Sequence, residues 1–365
     1  MNLELIRRID KAHPYPAKFT IDLALKYIEE YSDKGDIVCD PFVGSGTSML
    51  GARITGRRGL GTDINHIAVL ISRFKLLTLS RGEINSLWDF IGRIEEKGLL
   101  GLEGVTPYSY PSINHWFAPD PILVLSYIRQ ETGSIEGQGP RLFARLVMSS
   151  VVNTLSNQES DTRYAAIEKP FLTREYCLSV FVKRFRYMLE NFSEFLSLPM
   201  GGTGEVFLKD ALLLPELLPP RSAGLILTSP PYVNTYDYYL YHKHRMFWLG
   251  YDYNFSMRSE IGSRREFSSL KRPVSKFSSD IAAVFASCDR VLRPGGFAVI
   301  VIGDGKVGGR IYDAASDTER ICHSLGWSLE LCSDSMLDDT SRSFPQGYRT
   351  KGKKEHIMVF RKKEG

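Results

Sequence analysis

The chain has 365 residues, of which 43% are hydrophobic and 12% aromatic, a composition that is typical of a folded protein and argues against global disorder. The net charge is only +4, which is too small to indicate a nucleic-acid partner by itself. The five cysteines are scattered without a C-x-x-C pair, so neither a disulfide framework nor a metal site is expected, and a reducing compartment fits them better.

Hydropathy sets a further limit on the class of protein. No apolar run reaches the roughly 18–20 residues that are needed to span a bilayer. The first twelve residues also lack the apolar stretch of a signal peptide. We therefore expect a soluble cytoplasmic protein without a membrane partner.

The first part of the chain predicts a helix, a strand, a glycine-rich turn, a second helix and a second strand. In that order the elements cover residues 21–31, 36–39, 44–46, 47–55 and 59–62. Two strands that are joined by a helix imply parallel pairing with a right-handed crossover. This part of the sequence therefore predicts an α/β domain.

The middle of the chain predicts helices. They cover residues 84–97, 121–129, 141–153 and 174–195, and Gly/Pro/Ser-rich breaks lie at residues 101–112 and 132–140. We expect residues 81–199 to form an inserted helical subdomain, and residues 1–80 and 200–365 to form one α/β domain.

The α/β alternation resumes after the insert. Strands are predicted at residues 206–208, 225–227, 297–302, 327–332 and 356–360, and helices at residues 279–292 and 311–325. The sheet therefore gains its remaining strands from the last part of the chain.

A glycine-rich loop stands where the first predicted strand ends, which is where ligands bind in open α/β sheets. It reads Asp40-Pro41-Phe42-Val43-Gly44-Ser45-Gly46-Thr47. Glycine allows the backbone to approach a ligand closely, and the helix that begins near Thr47 directs free N–H groups at the loop. Asp63 ends the second strand 19 residues after Gly44, where an acid typically binds ribose hydroxyls.

Three other interpretations of this loop are a nicotinamide dinucleotide site, a P-loop and a tight turn without a ligand. A nicotinamide dinucleotide fingerprint fails because position 49 is Met49, and a P-loop fails because no Gly-Lys-Ser/Thr follows. A tight turn without a ligand remains open for Gly-Ser-Gly taken alone.

The full loop resembles the cofactor loop of S-adenosylmethionine-dependent DNA amino-methyltransferases. The resemblance implies a class I methyltransferase fold, which is a Rossmann-like, mostly parallel seven-stranded sheet, here with the helical insert, and S-adenosyl-L-methionine as cofactor. It assigns cofactor contacts to Asp40, Pro41, Phe42, Gly44, Ser45, Gly46 and Thr47, and the ribose to Asp63. Asp210 matches the acid that binds the cofactor's adenine amine, although an Asp after a strand more often caps a turn.

The segment His13-Pro14-Tyr15-Pro16-Ala17-Lys18-Phe19 resembles the N-terminal motif of the same enzymes, which packs over the methionine end of the cofactor. From the residues alone it is an extended, proline-rich lead into a helix. The resemblance adds to the cofactor contacts His13, Pro14, Ala17, Lys18 and Phe19, with Phe19 the leading candidate.

Ser229-Pro230-Pro231-Tyr232 follows the predicted strand at residues 225–227. Two prolines stiffen the segment, so the Ser229 hydroxyl and the Pro230 carbonyl can offer two acceptors to one amine, and Tyr232 can offer a flat face to a base. A Pro-Pro turn with a rim aromatic is the alternative for the isolated tetrapeptide.

This tetrapeptide resembles the catalytic motif of N4-cytosine DNA methyltransferases, whereas N6-adenine relatives more often carry Asp or Asn at the Ser229 position. The resemblance implies methyl transfer to the N4 amine of a flipped cytosine in double-stranded DNA, without a metal, in a restriction-modification or related role. A cognate restriction endonuclease is a possible partner under this interpretation. N6-adenine specificity, an RNA or protein amino-methyltransferase, and an inactive DNA-binding module stay open.

Two basic clusters are candidate phosphate contacts, although a solvated loop is the alternative for each. The first contains Arg264, Arg265, Lys271, Arg272 and Lys276. The second lies between the last two predicted strands and contains Arg342, Arg349, Lys351, Lys353 and Lys354.

Three further segments carry open alternatives. Some of residues 234–245, a segment rich in Tyr and His, either enclose a flipped base or form core. The polar residues 156–164 of the insert either contact base edges or form an ordinary loop. Asp304 either lines the pocket or caps a turn. If the resemblance holds, the insert is the target-recognition region.

Overall fold

The computed structural model describes residues 2–16, 18–336 and 353–364, and these separate into two compact units. The helical unit contains residues 2–15, 77–198 and 240–253. The α/β unit contains the described residues of the ranges 16–76, 199–239 and 254–364.

The described residues form these helices and strands. The helices are α1 Leu3–Asp10, α2 Ile21–Tyr31, α3 Thr47–Ile54, α4 His66–Leu76, α5 Arg81–Lys97, α6 Ile113–Trp116, α7 Pro119–Ser134, α8 Gln138–Val152, α9 Arg174–Leu196, α10 Leu214–Leu217, α11 Tyr238–Tyr241, α12 Lys243–Leu249, α13 Tyr253–Ser259, α14 Arg264–Ser268, α15 Val274–Val291 and α16 Ala314–Ser324. The strands are β1 Ile37–Asp40, β2 Arg58–Asp63, β3 Gln158–Ser160, β4 Arg163–Ala166, β5 Thr203–Leu208, β6 Ala223–Thr228, β7 Leu292–Gly303, β8 Gly305–Val307, β9 Arg310–Tyr312, β10 Trp327–Met336 and β11 Lys354–Lys362. Two short 3-10 helices lie at Gly98–Leu102 and Ala211–Leu213.

The α/β unit is built on a sheet of seven strands, counted over the described residues, in the order β10-β11-β7-β6-β1-β2-β5. Neighbouring strands are parallel except that β11 runs antiparallel to both β7 and β10. Every residue of β6 is buried, as expected for a central strand that is covered on both faces. The predicted mostly parallel seven-stranded sheet is confirmed.

The strand order places the topological switch point between β1 and β6. From β1 the chain adds β2 and β5 on one side, whereas β6 and β7 lie on the other side. Ligands bind in the crevice at the carboxyl ends of the strands at such a point. In this sheet those strand ends are Asp40 and Thr228.

Some predicted boundaries in the α/β unit are wrong for local reasons. The helix that was predicted from Ile311 begins at Ala314, because Ile311 lies in the hairpin of β8 and β9. Gly308 and Gly309 form the hairpin turn with φ values of +56° and +82°, the backbone that favours glycine in a two-residue turn. Helix α4 was not predicted.

The helical unit has its own core. Helices α5, α7, α8 and α9 pack against one another, and four phenylalanines fill the space between them, namely Phe143, Phe181, Phe185 and Phe192. Helix α5 begins three residues earlier than predicted because Ser80 and Glu83 form a capping box, in which Glu83 accepts the Ser80 backbone N–H at 2.8 Å. None of the helices in the described part of the chain has the length and hydropathy of a membrane span.

The structure divides the chain differently from the predicted domain boundaries. Residues 2–15 and 240–253 lie in the helical unit, although the sequence placed both in the α/β domain. The physical reason is apolar packing: α1 buries Leu5, Ile6 and Ile9 and packs against α9, and α12 packs against α7 and α8.

Residues 241–245 are core of the helical unit, so the interpretation that they enclose a flipped base is wrong for this segment. Tyr241, His242 and Arg245 are 0% exposed. The Arg245 guanidinium donates to the Ser149 carbonyl at 3.0 Å and forms an ion pair with Asp161. A fully buried cation of this kind is stable only while its partners remain in place.

Removing this cation should therefore destabilise the protein. We expect Arg245→Met to lower the free energy of unfolding by about 3 kcal/mol, because Asp161 and the Ser149 carbonyl lose their donor. The matched control is Arg163→Met, which removes a 67% exposed arginine paired with Glu159 and should cost less than about 1 kcal/mol. Urea denaturation measures both values, and equal losses would contradict the assigned role of Arg245.

Candidate active site

The glycine loop has a backbone that side chains would not tolerate. Gly44 and Gly46 have φ values of +48° and +75°. A Cβ atom on Gly46 would lie 2.7 Å from the Cα atom of Ser72, so the loop packs directly on α4. The Ser72 hydroxyl donates to the Gly44 carbonyl at 3.0 Å. The loop is therefore tightly held against the α/β unit at the end of β1.

Asp63, at the end of β2, joins this loop to the neighbouring strand. One carboxylate oxygen accepts the Gly44 N–H at 2.9 Å, and the other accepts the Asn65 N–H at 2.8 Å. The residue is half-buried, and loss of hydration raises the pKa of its carboxyl to about 6. The acid that the sequence assigned to a ribose thus lies beside the glycine loop.

Asp40 links the glycine loop to β6. Its side chain is 1% exposed. One carboxylate oxygen accepts the Phe42 N–H at 3.0 Å and the Thr228 hydroxyl at 2.7 Å, and the other accepts the Ser48 hydroxyl. The carboxylate of Asp40 was predicted to contact the cofactor, but it is enclosed by these internal partners instead.

The tetrapeptide Ser229–Tyr232 begins directly after Thr228. Ser229 and Pro231 are half-buried, and Pro230 is buried. The Asp40–Thr228 hydrogen bond therefore connects the two segments that the sequence singled out for chemistry. Both lie at the carboxyl ends of adjacent parallel strands.

Tyr232 is more buried than a rim aromatic would be, at 5% exposure. Its hydroxyl donates to Glu355 of β11 at 2.8 Å, and a Cβ atom on Gly303 would lie 2.5 Å from its Cε2 atom. Burial and the Glu355 carboxylate raise the pKa of the Tyr232 hydroxyl well above its usual range. Sequence reasoning missed Glu355 and Gly303; the Gly-Asp-Gly at the end of the seventh strand was the available signal.

The segment after the tetrapeptide is held by two acids, the half-buried Glu260 and the buried Asp237, whose roles the sequence did not indicate. Glu260 accepts the backbone N–H groups of Tyr238 and Tyr239 at 2.9 and 2.8 Å. Asp237 accepts from the Arg264 guanidinium at 3.0 Å. These contacts fix the backbone that continues from the candidate active site.

The first part of the chain is similar to a known protein family. Residues 4–73 match the N6_N4_Mtase family model, which is described as a DNA methylase. The family resemblance predicted from the glycine loop is confirmed. The matched residues include the His13–Phe19 motif, the glycine loop and Asp63, and they end before the helical insert.

Two curated relatives match longer parts of the chain. Type II methyltransferase M.MvaI of Kocuria varians is 27% identical over 236 residues, which cover 60% of this chain and 52% of that protein. Type II methyltransferase M.BsoBI of Geobacillus stearothermophilus is 24% identical over 274 residues, which cover 65% and 52%. The chain thus spans about half the length of the curated relatives it matches.

One solved structure covers nearly the whole chain. The rRNA methyltransferase AviRa from Streptomyces viridochromogenes is 10% identical, covers 99% of this chain and 93% of its own, and gives a TM-score of 0.38.

The N-terminal motif of the DNA methylase family is divided between the two units. His13 belongs to the helical unit and is 2% exposed, and its ring bonds to the Ser149 hydroxyl at 2.9 Å and donates to the Pro14 carbonyl at 2.7 Å. The His13 side chain is thus held by partners within the helical unit, and its contact with a cofactor stays a prediction. Pro14, Lys18 and Phe19 are half-buried, and Ala17 lies outside the described residues.

Two predicted ligand acids serve as caps. Asp210 accepts the Leu212 N–H at 2.9 Å at the start of a 3-10 helix, which matches the capping alternative. Asp304 accepts the N–H groups of Ala314 and Lys354 at 3.1 and 3.0 Å. For Asp304 the structure favours capping over pocket lining.

Most of the first basic cluster is paired within the protein. Arg264 pairs with Asp237, Arg272 with Glu266 and Lys276 with Asp280. Neighbouring acids thus offset the charges of these three side chains, and their role as phosphate contacts stays a prediction. Arg265 is half-buried and Lys271 is exposed.

The second basic cluster lies partly outside the described residues. Arg342, Arg349 and Lys351 fall there. Of the remaining two residues, Lys353 is buried and Lys354 pairs with Asp334 at 2.8 Å.

The polar run at residues 156–164 forms most of the β3–β4 hairpin of the helical unit rather than an irregular loop. Gln158 is 1% exposed, and Asp161 pairs with Arg245. Both side chains are thus turned to internal partners. Arg163 is exposed, as are Ser160 and Ala166 of the same hairpin.

The raised pKa of Asp40 has a consequence for stability. Burial raises this pKa from 3.8 to about 6 in the folded protein. The folded state therefore binds the proton more tightly than the unfolded state, so the contribution of Asp40 to stability falls as pH rises from about 4 to 6.

We expect Asp40→Asn to remove this pH dependence. The amide oxygen can still accept from the Phe42 N–H and the Thr228 hydroxyl, and the amide does not ionise. The free energy of unfolding of Asp40→Asn, relative to that of the wild type, should therefore rise by about 2–3 kcal/mol between pH 4 and pH 7. Denaturant unfolding at several pH values measures it. The control is Asp33→Asn, which changes a carboxylate that is 92% exposed. An advantage for Asp40→Asn that does not vary with pH would contradict the assignment.

Proposed function

We propose that this protein is an S-adenosylmethionine-dependent DNA methyltransferase that modifies the N4 amine of a flipped cytosine in double-stranded DNA. The observation that carries the proposal is the hydrogen bond between Asp40 and Thr228. It joins the family's glycine loop to the strand that ends at Ser229. A cofactor loop and an amine-binding segment are thereby brought to one crevice of the sheet.

The residues at the glycine loop fit the proposed cofactor. Gly44 and Gly46 present backbone without side chains, and Asp63 keeps a half-buried carboxylate beside them. Each Asp63 oxygen accepts one backbone N–H, and a carboxylate oxygen has a further lone pair for a ribose hydroxyl. When bound, S-adenosyl-L-methionine supplies an electrophilic methyl group on a sulfonium centre.

The tetrapeptide supplies orientation rather than a strong base. The Ser229 hydroxyl and the Pro230 carbonyl accept hydrogen bonds from the amine and keep its lone pair on nitrogen. After methyl transfer, one proton leaves the nitrogen to solvent. Alignment of reacting atoms accounts for a large share of such rate enhancements. Flipping the base costs a few kcal/mol, which stacking on Tyr232 would partly offset.

Cytosine is favoured over adenine by one residue, Ser229. In the family the tetrapeptide of N4-cytosine enzymes begins with Ser, and an Asp or Asn is more frequent in N6-adenine enzymes. The names of the relatives M.MvaI and M.BsoBI carry the type II designation, which favours a restriction-modification role. Residues 81–199, which follow Asp63 and precede Ser229 in the chain and lie almost wholly in the helical unit, are the proposed target-recognition region.

A methylation assay with labelled cofactor tests the activity and the substrate class together. We expect label in duplex DNA and none in RNA or protein, and nuclease digestion followed by mass spectrometry should recover N4-methylcytosine. N6-methyladenine would contradict the choice of base and keep the enzyme class. Label only in RNA, or no cofactor binding by calorimetry, would contradict the proposed function.

Single substitutions should separate cofactor binding from transfer. We expect Ser229→Ala to lower kcat by about 100-fold with little change in cofactor Kd, because one acceptor for the amine is lost. Asp63→Asn should weaken cofactor binding by about 10-fold or more, since an anionic acceptor is replaced by an amide. Ser222→Ala is the control, because this half-buried serine just before β6 donates its hydroxyl to the Pro219 carbonyl at 2.7 Å and lies at the opposite end of the strand from Ser229. A cofactor defect in Ser229→Ala without a change in kcat would remove Ser229 from the transfer step.

A further inference from the structure

Three side chains with metal-binding atoms lie together on the β10–β11 pair of the α/β unit. Asp334 is paired directly with His356 in the ladder, and Cys332 precedes Asp334 by two residues. Side chains two residues apart lie on the same face of a strand. The Cys332 sulfur, one Asp334 oxygen and one His356 nitrogen all lie within 4.8 Å of one another.

The distances between these atoms approach those of a metal site. Nδ1 of His356 is 2.9 Å from Oδ1 of Asp334, and Sγ of Cys332 is 3.7 Å from the same oxygen. Tetrahedral zinc with bonds of about 2.0–2.3 Å keeps its ligand atoms about 3–4 Å apart. Cys332 is a free cysteine with an exposed side chain, so its sulfur is accessible to an ion from solvent.

A buried acid orients the histidine for this role. Nε2 of His356 is 3.2 Å from Oδ1 of Asp304, which is 5% exposed and accepts two backbone N–H groups. The Asp304 carboxylate accepts a hydrogen bond from His356, so Nε2 carries the hydrogen. The other ring nitrogen, Nδ1, faces Asp334. Metal-binding histidines typically donate their second N–H to a carboxylate in this arrangement.

The contact between Nδ1 and Asp334 requires a positive charge. A nitrogen lone pair and a carboxylate oxygen repel each other at 2.9 Å unless a proton or a metal ion lies between them. The second Asp334 oxygen already pairs with Lys354, which leaves Oδ1 directed at the cluster. The adjacent Cys332 sulfur supplies a third ligand that a simple histidine–aspartate pair would not need.

We propose that Cys332, Asp334 and His356 bind one Zn²⁺ ion, with water in the fourth position. Thiolate, imidazole and carboxylate together suit zinc, and binding releases the thiol proton and any proton on Nδ1 to solvent. The ion links β10 to β11 two residue pairs from the Met336–Lys354 end of their described ladder. The proposal of this Zn²⁺ site does not rest on the proposed methyl transfer.

The full chain, stripped with a chelator, tests the proposal by titration with Co²⁺ followed by competition with Zn²⁺. We expect one Co²⁺ per chain with a thiolate-to-cobalt charge-transfer absorption, which Zn²⁺ displaces. Cys332→Ser should abolish the absorption and weaken Zn²⁺ binding at least 10-fold. Asp304→Asn should weaken binding by about 10- to 100-fold, since it removes the partner that orients His356.

A control variant and a second readout keep the test decisive. Glu330→Gln removes another carboxylate of β10 outside the cluster and should bind Zn²⁺ like the wild type. Amide hydrogen exchange in β10 and β11 should slow on Zn²⁺ addition in the wild type and not in Cys332→Ser. Wild-type protein without the thiolate absorption, or equal Zn²⁺ affinity in Cys332→Ser, would overturn the proposal and leave a proton between His356 and Asp334.

Discussion

The buried carboxylate of Asp40 is the constraint on which the ligand-binding edge of the α/β unit depends. An enclosed carboxylate is costly unless its oxygens have donors, and Asp40 receives them from the loop itself, from α3 and from β6. The charge therefore organises three elements at once. Displacing the Thr228 hydroxyl would remove one donor from the buried Oδ1 atom of Asp40. The start of the tetrapeptide and the glycine loop are therefore held in fixed positions relative to each other.

Asp63 repeats the same principle on the other side of the loop. Its two oxygens bond backbone N–H groups of the loop and of the turn after β2, although burial raises the pKa of its carboxyl, as it does for Asp40. Both acids are therefore less stable in their charged form than in water. A cation bound near either acid would lower its pKa again. The sulfonium of the proposed cofactor is such a cation, so the electrostatics of this edge suit that ligand.

Much of the α/β unit could be predicted because its signals are local. Helix α2 begins and ends where its apolar periodicity does, and the glycine loop lies between β1 and α3 as its sequence indicates. The mostly parallel seven-stranded sheet was an expectation from the family resemblance, and the strand pairing agrees with it. The resemblance also located Asp63 beside the loop, since both follow strand ends on the same edge.

The features that could not be predicted depend on partners distant in sequence. Asp237 lies beside Arg264, and α8 brings Ser149 to the His13 ring, but neither partner is evident from the local sequence around Arg264 or His13. Residues 240–253 join the helical unit because α12 packs on α8, which no local pattern reveals. The spacing of the cysteines argued against a metal site because it considers only residues that are close in sequence. Strand pairing instead brings Cys332 close to His356, which lies 24 positions further along the chain.

The tetrapeptide shows how a short motif acquires its geometry from the rest of the sheet. Two prolines stiffen the backbone, but the orientation of the Tyr232 ring is set by Gly303 and Glu355, which lie on β7 and β11. A side chain at position 303 would enter the ring, and loss of Glu355 would leave a buried hydroxyl without its acceptor. The antiparallel strand β11 thus helps to position Tyr232, although it lies far from the tetrapeptide in the sequence. Under the proposed function, presentation of an amine depends on this whole arrangement, whereas the preference for cytosine over adenine rests on Ser229 alone.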